Sequence, residues 1–213
     1  MAHEAARDRL VERIERREDV SERTLDAIRA VPRHEFVPEA QTDRAYGDHP
    51  VPIGHGQTVS APHMVAIMVD LLDVTDGDHV YEVGTGTGYH AAVVAEIVGG
   101  ENVYSVEYVE ALAADARDRF DRLGYDVHVR VGDGREGWEA GAPYDAAYLT
   151  CGTPEGVPDP IVEQTRTGGT IVAPVGGQIG QNLVTLTVTE EGVEREEHAR
   201  VQFVPIKGDD RDT

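Results

Sequence analysis

Residues 80–89 (V-Y-E-V-G-T-G-T-G-Y) constrain the fold of this chain more than any other stretch, because three glycines at alternate positions follow a short apolar run. The run at 79–83 is typical of a buried strand, and residues 89–98 are typical of a helix. Glycines in such a turn let backbone amides approach a ligand where side chains would block it, and the unpaired N–H groups that open a helix attract negative charge. The stretch therefore predicts a nucleotide-type cofactor site on a parallel sheet.

The glycine spacing separates this turn from two common nucleotide-binding turns. A dinucleotide-binding turn has the spacing G-x-G-x-x-G, and a P-loop has a lysine after its last glycine. This chain has acidic-x-G-x-G-x-G, with Glu82 as the acidic residue. That pattern resembles the first motif of the class I methyltransferases, which bind S-adenosylmethionine, and implies that Glu82 lies near the ammonium group of the cofactor. A glycine-rich turn alone is equally compatible with a structural role, so the residues downstream have to decide.

Strands and helices alternate after the turn. Strands are predicted at 102–106, 127–134, 144–149 and 170–175, helices at 110–123 and 160–166, and two antiparallel strands at 183–188 and 195–205. This alternation predicts an α/β fold, a doubly wound and mostly parallel sheet with N-terminal helices and a C-terminal antiparallel strand pair. Ligands of such sheets bind at the carboxyl ends of the strands.

Two acidic residues follow predicted strands at that edge. Glu107 ends the second strand about 20 residues after the turn, where a carboxylate accepts hydrogen bonds from both ribose hydroxyls of a nucleoside. Asp133 ends the third strand between two glycines, where it can accept from an adenine amino group. The alternative interpretations are a solvent-facing strand end and an ordinary turn aspartate. Because Glu82, Gly84, Glu107 and Asp133 all fall at one edge of the sheet, they predict a single site.

Two helices and a long irregular segment precede the sheet. Residues 3–17 and 22–30 have helical apolar spacing, and Pro32 ends the second helix. Residues 31–62 are too rich in proline and glycine for long regular elements, and an ordered segment of this length is usually a lid or a substrate loop. A further helix follows at 62–72. We therefore expect N-terminal helices and a lid loop at 1–62, a methyltransferase domain at 63–206 and an acidic tail at 207–213.

The charge balance bears on partners and on the working environment. The chain has 40 acidic and 19 basic residues, a net charge of −21, and a single lysine, Lys207. Nucleic-acid binding is disfavoured because phosphate contacts need clustered basic residues. Acidic, lysine-poor surfaces are typical of proteins that work in multimolar salt, so we expect a halophilic source, with an ordinary acidic protein as the alternative. With this net charge, a monomer is expected.

Cysteine and histidine usage argues against metal chemistry. The one cysteine, Cys151, excludes an internal disulfide and a thiolate metal cluster. No histidine has the spacing of a metal ligand, and His34, His49, His55 and His90 are interpreted as loop or surface residues. The N-terminus lacks the apolar core of a signal peptide, and no apolar run approaches membrane-spanning length, so we expect a cytoplasmic protein without membrane association.

Longer segments carry a closer resemblance. They are V-P-R-H-E-F-V-P, P-I-G-H-G-Q-T-V-S-A-P-H-M, E-V-G-T-G-T-G-Y, V-G-D-G-R-E-G, A-P-Y-D-A, G-G-T-I-V-A-P-V-G and F-V-P-I. Together they make residues 20–206 resemble the protein-L-isoaspartate (D-aspartate) O-methyltransferases. The pattern G-x-G-Q-T-[IV]-S-x-P is the most specific of them, because few other methyltransferases carry it before the first strand.

The resemblance implies a Rossmann-like class I fold, S-adenosylmethionine as cofactor, and proteins and peptides containing isoaspartate as substrates. Ser60 matches the family's active-site hydroxyl beside the substrate carboxylate, and Gln57, Thr58 and His63 line the same pocket. The implied cofactor-binding residues are Glu82, Gly84, Gly86, Gly88, Glu107, Asp133 and Gly134.

The implied reaction needs no strong general base. An isoaspartyl residue has a free α-carboxylate that is ionised at neutral pH and can attack the sulfonium methyl group directly. Catalysis is then mostly alignment of oxygen, methyl carbon and sulfur, together with exclusion of water, and Ser60 orients the carboxylate. In this family the methyl ester cyclises to a succinimide, which hydrolyses partly to normal aspartate and so repairs the protein.

One segment departs from the family. After the fourth strand the family has small residues, often paired alanines, before a proline, whereas residues 150–154 are T-C-G-T-P here. Two alternatives stay open: a methyltransferase of the same fold directed at another carboxylate, such as a normal aspartate, and a catalytically silent module that recognises damaged protein. Retention of Ser60 argues against the second. Cys151 is interpreted as a packing residue, since no partner base is evident, and Trp138 as a cover for the sheet edge.

Overall fold

The computed structural model describes residues 2–177 and 180–208. The helices are α1 (Ala2–Glu15), α2 (Glu22–Ala30), α3 (Pro62–Leu72), α4 (Tyr89–Val98), α5 (Glu110–Leu123) and α6 (Asp159–Gln164). The strands are β1 (Val51–Gly54), β2 (Gln57–Val59), β3 (Val80–Val83), β4 (Val103–Glu107), β5 (His128–Val131), β6 (Tyr144–Leu149), β7 (Thr165–Val175), β8 (Gln181–Thr189) and β9 (Gly192–Val201).

Seven strands form one sheet in the order β5-β4-β3-β6-β7-β8-β9, and β1 and β2 form a separate hairpin. Strands β3 to β7 run parallel, whereas β8 is antiparallel to both β7 and β9. The strand order reverses between β3 and β6, which is where a doubly wound sheet binds its ligand. The predicted fold class, including the C-terminal antiparallel pair, is confirmed.

Helices on both faces bury the central strands. All four residues of β3 are buried, and its side chains alternate between the two faces. Val80 belongs to the core that the sheet forms with α1 to α5. Tyr81 and Val83 belong to the opposite core, which includes Ile161 of α6. Helices on both faces explain why β3 has a nearly continuous apolar sequence instead of an alternating one.

The N-terminal helices share the larger core. Leu10, Val11 and Ile14 of α1 are at most 1% exposed, so the predicted apolar stripe is the buried face of this helix. Ser21 caps α2, its Oγ accepting a hydrogen bond from the Thr24 N–H. The division of the chain at residue 62 stays a prediction, and the acidic tail falls largely on residues 209–213, outside those described.

Residues 31–62 are ordered and contain a hairpin that the sequence interpretation misses. Strands β1 and β2 pair through Val51 with Val59, and Pro52 with Thr58. Their turn includes His55 with φ of 53°, a conformation that a sequence pattern does not announce for histidine. Prolines and glycines hide the alternation of strands this short. The hairpin matters because Gln57 to Ser60 follow directly from its turn.

The third parallel strand is shorter than predicted. The sequence predicts a strand over 127–134, but β5 covers His128–Val131. Asp133 accepts a hydrogen bond from the Arg135 N–H and begins a 3-10 turn over Gly134–Glu136. An aspartate that bonds to the backbone two residues onward competes with strand pairing, which explains the early end.

The last elements also differ at their ends. The helix predicted at 160–166 ends at Gln164, because Thr165 already pairs with Tyr144 in the sheet. Strand β7 therefore begins five residues before the predicted residue 170, and β9 ends at Val201 instead of residue 205. None of the described helices is long and apolar enough to span a membrane.

Candidate active site

The glycine turn joins β3 to α4 at the C-terminal edge of the sheet. Gly84 has φ of +97°, which favours glycine, and a Cβ atom there would collide with Thr150 Oγ1. The Gly84 N–H donates to the Val106 carbonyl of β4 at 2.8 Å. The turn is thus held against the ends of both neighbouring strands, and only glycine fits at its first position.

A cleft of about 540 Å³, part of it open solvent, lies over this turn, and we call it the turn cleft. Its lining includes six of the predicted site residues: Gln57, Thr58, Gly84, Gly86, Glu107 and Gly134. The C-terminal residues 204–207 line its other side. The fold therefore brings together predicted site residues that lie up to 77 positions apart in the sequence, from Gln57 to Gly134.

Glu107 is already oriented for a ligand with two adjacent hydroxyl groups. It ends β4 and is 6% exposed. Its Oε2 accepts from the Gly86 N–H at 2.9 Å, and its Oε1 accepts from the Val109 N–H at 2.9 Å. A carboxylate has about four acceptor positions, so each oxygen keeps one for a further donor. This arrangement fits the ribose of a nucleoside cofactor.

Asp133 is already bonded to a neighbouring side chain, whereas Gly134 lies at the turn cleft. The Arg135 side chain donates to Asp133 through Nη2 at 2.7 Å and through Nε at 3.0 Å to each oxygen, and the Arg135 N–H adds a bond of 2.9 Å. A carboxylate so fully occupied would have to release Arg135 before it accepted a bond from adenine. Gly134 itself lines the turn cleft, and its carbonyl accepts from the Tyr81 hydroxyl at 2.9 Å.

Glu82 lies beneath the turn and does not line the turn cleft. It is fully buried, and Ser105 Oγ donates to its Oε2 while also bonding to Thr85 Oγ1 at 2.5 Å. Glu82 Oε1 has no hydrogen-bond partner. Burial raises the pKa of Glu82 to about 7, against the opposing effect of Ser105 and of the nearby Tyr148 hydroxyl. Its carboxyl group therefore lies under the turn, and the expected contact with a cofactor ammonium group stays a prediction.

Gly88 separates two helices instead of lining the cleft. It precedes α4 with φ of +87°, and a Cβ atom there would lie 2.5 Å from Phe120 Cζ of α5. The interpretation of His90 as a loop or surface residue is wrong: it lies in α4, is 6% exposed, and its ring centre lies 4.3 Å from that of the tilted Tyr148 ring. Burial lowers the pKa of His90 to about 3. Eight of the ten residues of helix α4 are buried, and His90 is one of them.

A second cleft, of about 710 Å³ including open solvent, lies next to the first, and we call it the serine cleft. Ser60 and His63 line it, together with residues 200–204 at the end of β9. Thr58, Thr150 and Val204 line both clefts, so the predicted cofactor side and the predicted substrate side meet at these three residues. A small inner cavity lies between Ser60 and the glycine turn, and both Ser60 and residues of the turn line it.

His63 is held in place by Asp48. His63 Nδ1 lies 2.8 Å from Asp48 Oδ1, and the His63 N–H donates to the same oxygen at 3.1 Å. The Asp48 side chain is only 10% exposed. Because the carboxylate occupies Nδ1, the other ring nitrogen, Nε2, is the one available to a ligand.

Thr150 and Lys207 form hydrogen bonds at the site that the sequence does not predict. Thr150 Oγ1 donates to the Gly84 carbonyl at 2.7 Å and to the Val83 carbonyl at 3.1 Å, which ties the end of β6 to the turn. Lys207 Nζ donates to the His55 carbonyl at 3.1 Å, joining the C-terminal segment to the β1–β2 hairpin. No local pattern announces either contact, because the partners lie 66 and 152 residues apart.

The remaining predicted residues have structural surroundings. Cys151 is buried, and burial raises the pKa of its thiol to about 12, which agrees with a packing role. Trp138 packs edge-on against Tyr104, with ring centroids 5.6 Å apart, and Arg130 lies 4.9 Å over its ring. Within residues 2–177 and 180–208, no group of three or more His, Cys, Asp or Glu residues could hold a metal ion.

The chain matches one family model over nearly its whole length. The model is that of the protein-L-isoaspartate (D-aspartate) O-methyltransferases, and it matches residues 5–211. A protein-L-isoaspartate O-methyltransferase 2 from Archaeoglobus fulgidus is 50% identical over 212 residues, which cover 98% of this chain and 96% of that protein. The match therefore includes residues of helix α1, for which the sequence alone offered no resemblance.

Solved structures of similar proteins agree with the fold. A protein-L-isoaspartate O-methyltransferase superposes with a TM-score of 0.85 and 27% identity, covering 95% of this chain and 66% of that one. A second chain of that description, from Plasmodium falciparum and in complex with S-adenosyl-L-homocysteine, has a TM-score of 0.79 and 24% identity over 96% of this chain and 98% of its own. By family model, relatives and fold together, this chain belongs to the protein-L-isoaspartate (D-aspartate) O-methyltransferase family.

Proposed function

We propose that this protein transfers the methyl group of S-adenosylmethionine to the free α-carboxylate of L-isoaspartyl residues in proteins and peptides. The observation that carries the proposal is the meeting of the turn cleft and the serine cleft at Thr58, Thr150 and Val204. A cofactor over the glycine turn and a carboxylate beside Ser60 would approach each other at these residues. Family membership supplies the substrate class.

The residues of the turn cleft fit this cofactor. Glu107 has one free acceptor position on each oxygen for the ribose hydroxyls. Gly84 and Gly86 leave the backbone of the turn accessible to the methionine part, and Gly134 offers its backbone to the adenine. We assign Glu82 a supporting role under the turn, because its carboxyl group is buried and bonded to Ser105.

The chemistry requires alignment more than proton transfer. When bound, the cofactor supplies a methyl group on a sulfonium: a carboxylate oxygen forms the new bond to this carbon, the carbon–sulfur bond breaks, and the sulfur leaves uncharged. An isoaspartyl α-carboxylate is ionised at neutral pH, so no base has to remove a proton. Ser60 would orient the carboxylate through its hydroxyl group, and His63 would add a contact through Nε2.

The biological setting extends beyond the reaction. Methylation of isoaspartate would start repair, because the ester can close to a succinimide that opens partly to normal aspartate. We expect the protein to act as a monomer in the cytoplasm of a halophile. The net charge of −21 and the single lysine support the salt adaptation and argue against nucleic acid as a partner.

A peptide pair tests the proposed function. The purified protein is incubated in concentrated KCl with methyl-labelled S-adenosylmethionine and two peptides that differ in one residue, isoaspartate or aspartate. Base-labile label on the isoaspartyl peptide alone supports the proposal. Label on the aspartyl peptide would instead favour a retargeted carboxyl methyltransferase, and label on neither would favour a silent binding module.

A further inference from the structure

Arg33 is the largest fully buried side chain among the described residues, and nothing in the reaction as proposed uses it. It lies just after α2, in a 3-10 turn over Arg33–Glu35, and its exposed fraction is 0%. Its Nε donates to the Ala45 carbonyl at 2.9 Å, and its Nη2 donates to the Ser60 carbonyl at 2.8 Å. Its guanidinium carbon lies 4.4 Å from the centre of the Tyr89 ring.

A guanidinium in these surroundings is costly to the folded state. Arg33 forms no ion pair within residues 2–177 and 180–208, and its Nη1 is buried without a hydrogen-bond partner. Burial lowers the pKa of Arg33, although Tyr89 and the more distant Asp48 oppose the shift. Arginine stays charged in proteins, and Asp48 is already bonded to His63. Burying a charge without an ion pair is costly, so a role beyond stability has to be sought.

The partners of Arg33 belong to the two halves of the candidate site. Ser60 lies in the segment that leads from the hairpin into the serine cleft, and fixing its carbonyl fixes the peptide unit that carries its side chain. Tyr89 is the first residue of α4, directly after the glycine turn. Both residues line the inner cavity between the two clefts. Arg33 thus connects the predicted substrate segment to the helix that opens at the cofactor turn.

The planar fork of arginine suits this connection. Its Nε and Nη2 donate in two fixed directions at once, while its flat face lies on the Tyr89 ring. Lysine carries the same charge but cannot hold the Ala45 and Ser60 carbonyls in that fixed geometry. Methionine fills a similar volume against the ring and donates nothing. These differences separate charge, geometry and packing at one position.

We propose that Arg33 is a positioning residue for the methyl transfer: it holds the Ser60 peptide unit at a fixed distance from the glycine turn, so that a substrate carboxylate on Ser60 is aligned with the methyl group of the cofactor. This inference rests on the proposed function, because Ser60 matters only where it receives the carboxylate. Alignment errors of about 1 Å lower rates by about 100-fold, so the effect belongs in kcat.

The test compares Arg33→Lys and Arg33→Met with the wild type on the isoaspartyl peptide. Binding of S-adenosylhomocysteine is measured by calorimetry, and its stoichiometry gives the fraction of each preparation that is folded. For both variants we expect kcat per folded molecule to fall by about 10- to 100-fold, with KM and the Kd for S-adenosylhomocysteine changed by less than about threefold. Arg33→Met removes the buried charge but leaves the Ala45 and Ser60 carbonyls without their donor, so kcat is compared per folded molecule in both variants.

Arg130→Lys is the matched control. Arg130 likewise donates to a carbonyl, that of Gly137 at 2.6 Å, and stacks 4.9 Å over an aromatic ring, that of Trp138. Its variant should keep kcat within about twofold. A kcat per folded molecule within twofold of wild type in both Arg33 variants overturns the inference. That result holds even if fewer molecules are folded, because loss of a purely structural residue lowers the folded fraction and leaves kcat per folded molecule unchanged. If the wild type labels neither peptide, the proposed function fails before any variant is compared.

Discussion

At the scale of single residues, Glu107 is the clearest candidate for cofactor affinity. Glu107→Gln keeps one acceptor oxygen but places an amide NH2 opposite the N–H of Gly86 or Val109, which now contact Glu107 at 2.9 Å. The cofactor also loses one charged acceptor, and such bonds contribute about 1.5–3 kcal/mol. We expect the Kd for S-adenosylhomocysteine, measured by calorimetry, to rise by about 10- to 100-fold.

Glu110→Gln provides the comparison for that variant. Glu110 begins α5 a few residues later, is exposed and does not line the turn cleft, so the same chemical change should leave the Kd within about twofold. An unchanged Kd in Glu107→Gln would remove Glu107 from the ribose role.

The buried carboxyl of Glu82 makes a prediction about pH. Its pKa is raised to about 7 in the folded protein, because burial favours the neutral form, whereas the usual pKa of a glutamate in an unfolded chain is 4.5. A raised folded pKa stabilises the protein at low pH, and this contribution disappears as the pH rises from about 4.5 to above about 7. Relative to Glu82→Gln, the wild type should therefore lose unfolding free energy of the order of 3 kcal/mol over that range.

Urea unfolding of both proteins at several pH values and constant KCl concentration measures this difference. The subtraction removes the titration of the many surface carboxylates, which both proteins share. A difference that stays constant from pH 5 to about 8 would mean that Glu82 keeps the same charge throughout, contrary to its burial beside Ser105.

The residues of the site differ in how much of their position and contacts the sequence predicts. The positions of Glu107 and the glycine turn could be predicted, because strand ends and turn spacing place them without knowledge of distant contacts. Asp133 was placed correctly along the chain, but its ion pair with Arg135 depends on side-chain geometry that spacing does not contain. The motif V-P-R-H-E-F-V-P contains Arg33 but carries no sign of its burial. A charged residue in a polar loop is usually exposed, so its complete burial could not be expected.

At the scale of elements, the contact between α4 and α5 explains the third glycine of the turn. Gly88→Ala would place a methyl group 2.5 Å from Phe120 Cζ, in addition to the cost of φ of +87° for alanine. The conformational cost is about 1–2 kcal/mol, and overpacking adds about 1–3 kcal/mol. We expect urea unfolding to give a loss of unfolding free energy of about 2–5 kcal/mol.

Gly124→Ala separates these two costs. Gly124 ends α5 with φ of +78°, and a Cβ atom there would meet nothing within 4 Å, so this variant should lose only the conformational part. Adding Phe120→Leu to Gly88→Ala should recover part of the extra loss by opening space. Equal losses in the two single variants would show that Phe120 does not constrain residue 88.

The long helices and the central strands were predictable for a common reason. Helix α5 and strand β6 have the predicted bounds, because their apolar spacing is set by burial along their whole length. The β1–β2 hairpin was missed, since three- and four-residue strands contain too few residues to show a period. Strand β7 was predicted five residues too short because Gly168 and Gly169 interrupt its sequence, whereas the strand already pairs at Thr165, before these glycines, and again from Thr170.

At the scale of the whole molecule, repulsion between like charges lowers the free energy of unfolding, and no single contact offsets it. Forty acidic residues face nineteen basic ones, and strand β9 at the edge of the sheet is exposed over nearly its whole length. Charged edge strands resist pairing with other chains. The same charges repel one another in the compact state, and this repulsion extends over about 10 Å at 0.1 M salt but only about 3 Å at 1 M.

The chain should therefore need salt to stay folded. On dialysis from concentrated KCl to dilute buffer, we expect the far-UV circular dichroism of the folded protein to be lost, and the urea midpoint to rise as KCl is restored. Sucrose at matched water activity is the control, because it favours compact states without screening charge. If sucrose keeps the protein folded as well as KCl does, then exclusion of the solute from the protein surface, and not charge repulsion, governs stability. A stable fold in dilute buffer would instead mean that the ion pairs and the shared core of α1 to α5 outweigh a charge of −21, and the acidic composition would then have to be explained without salt.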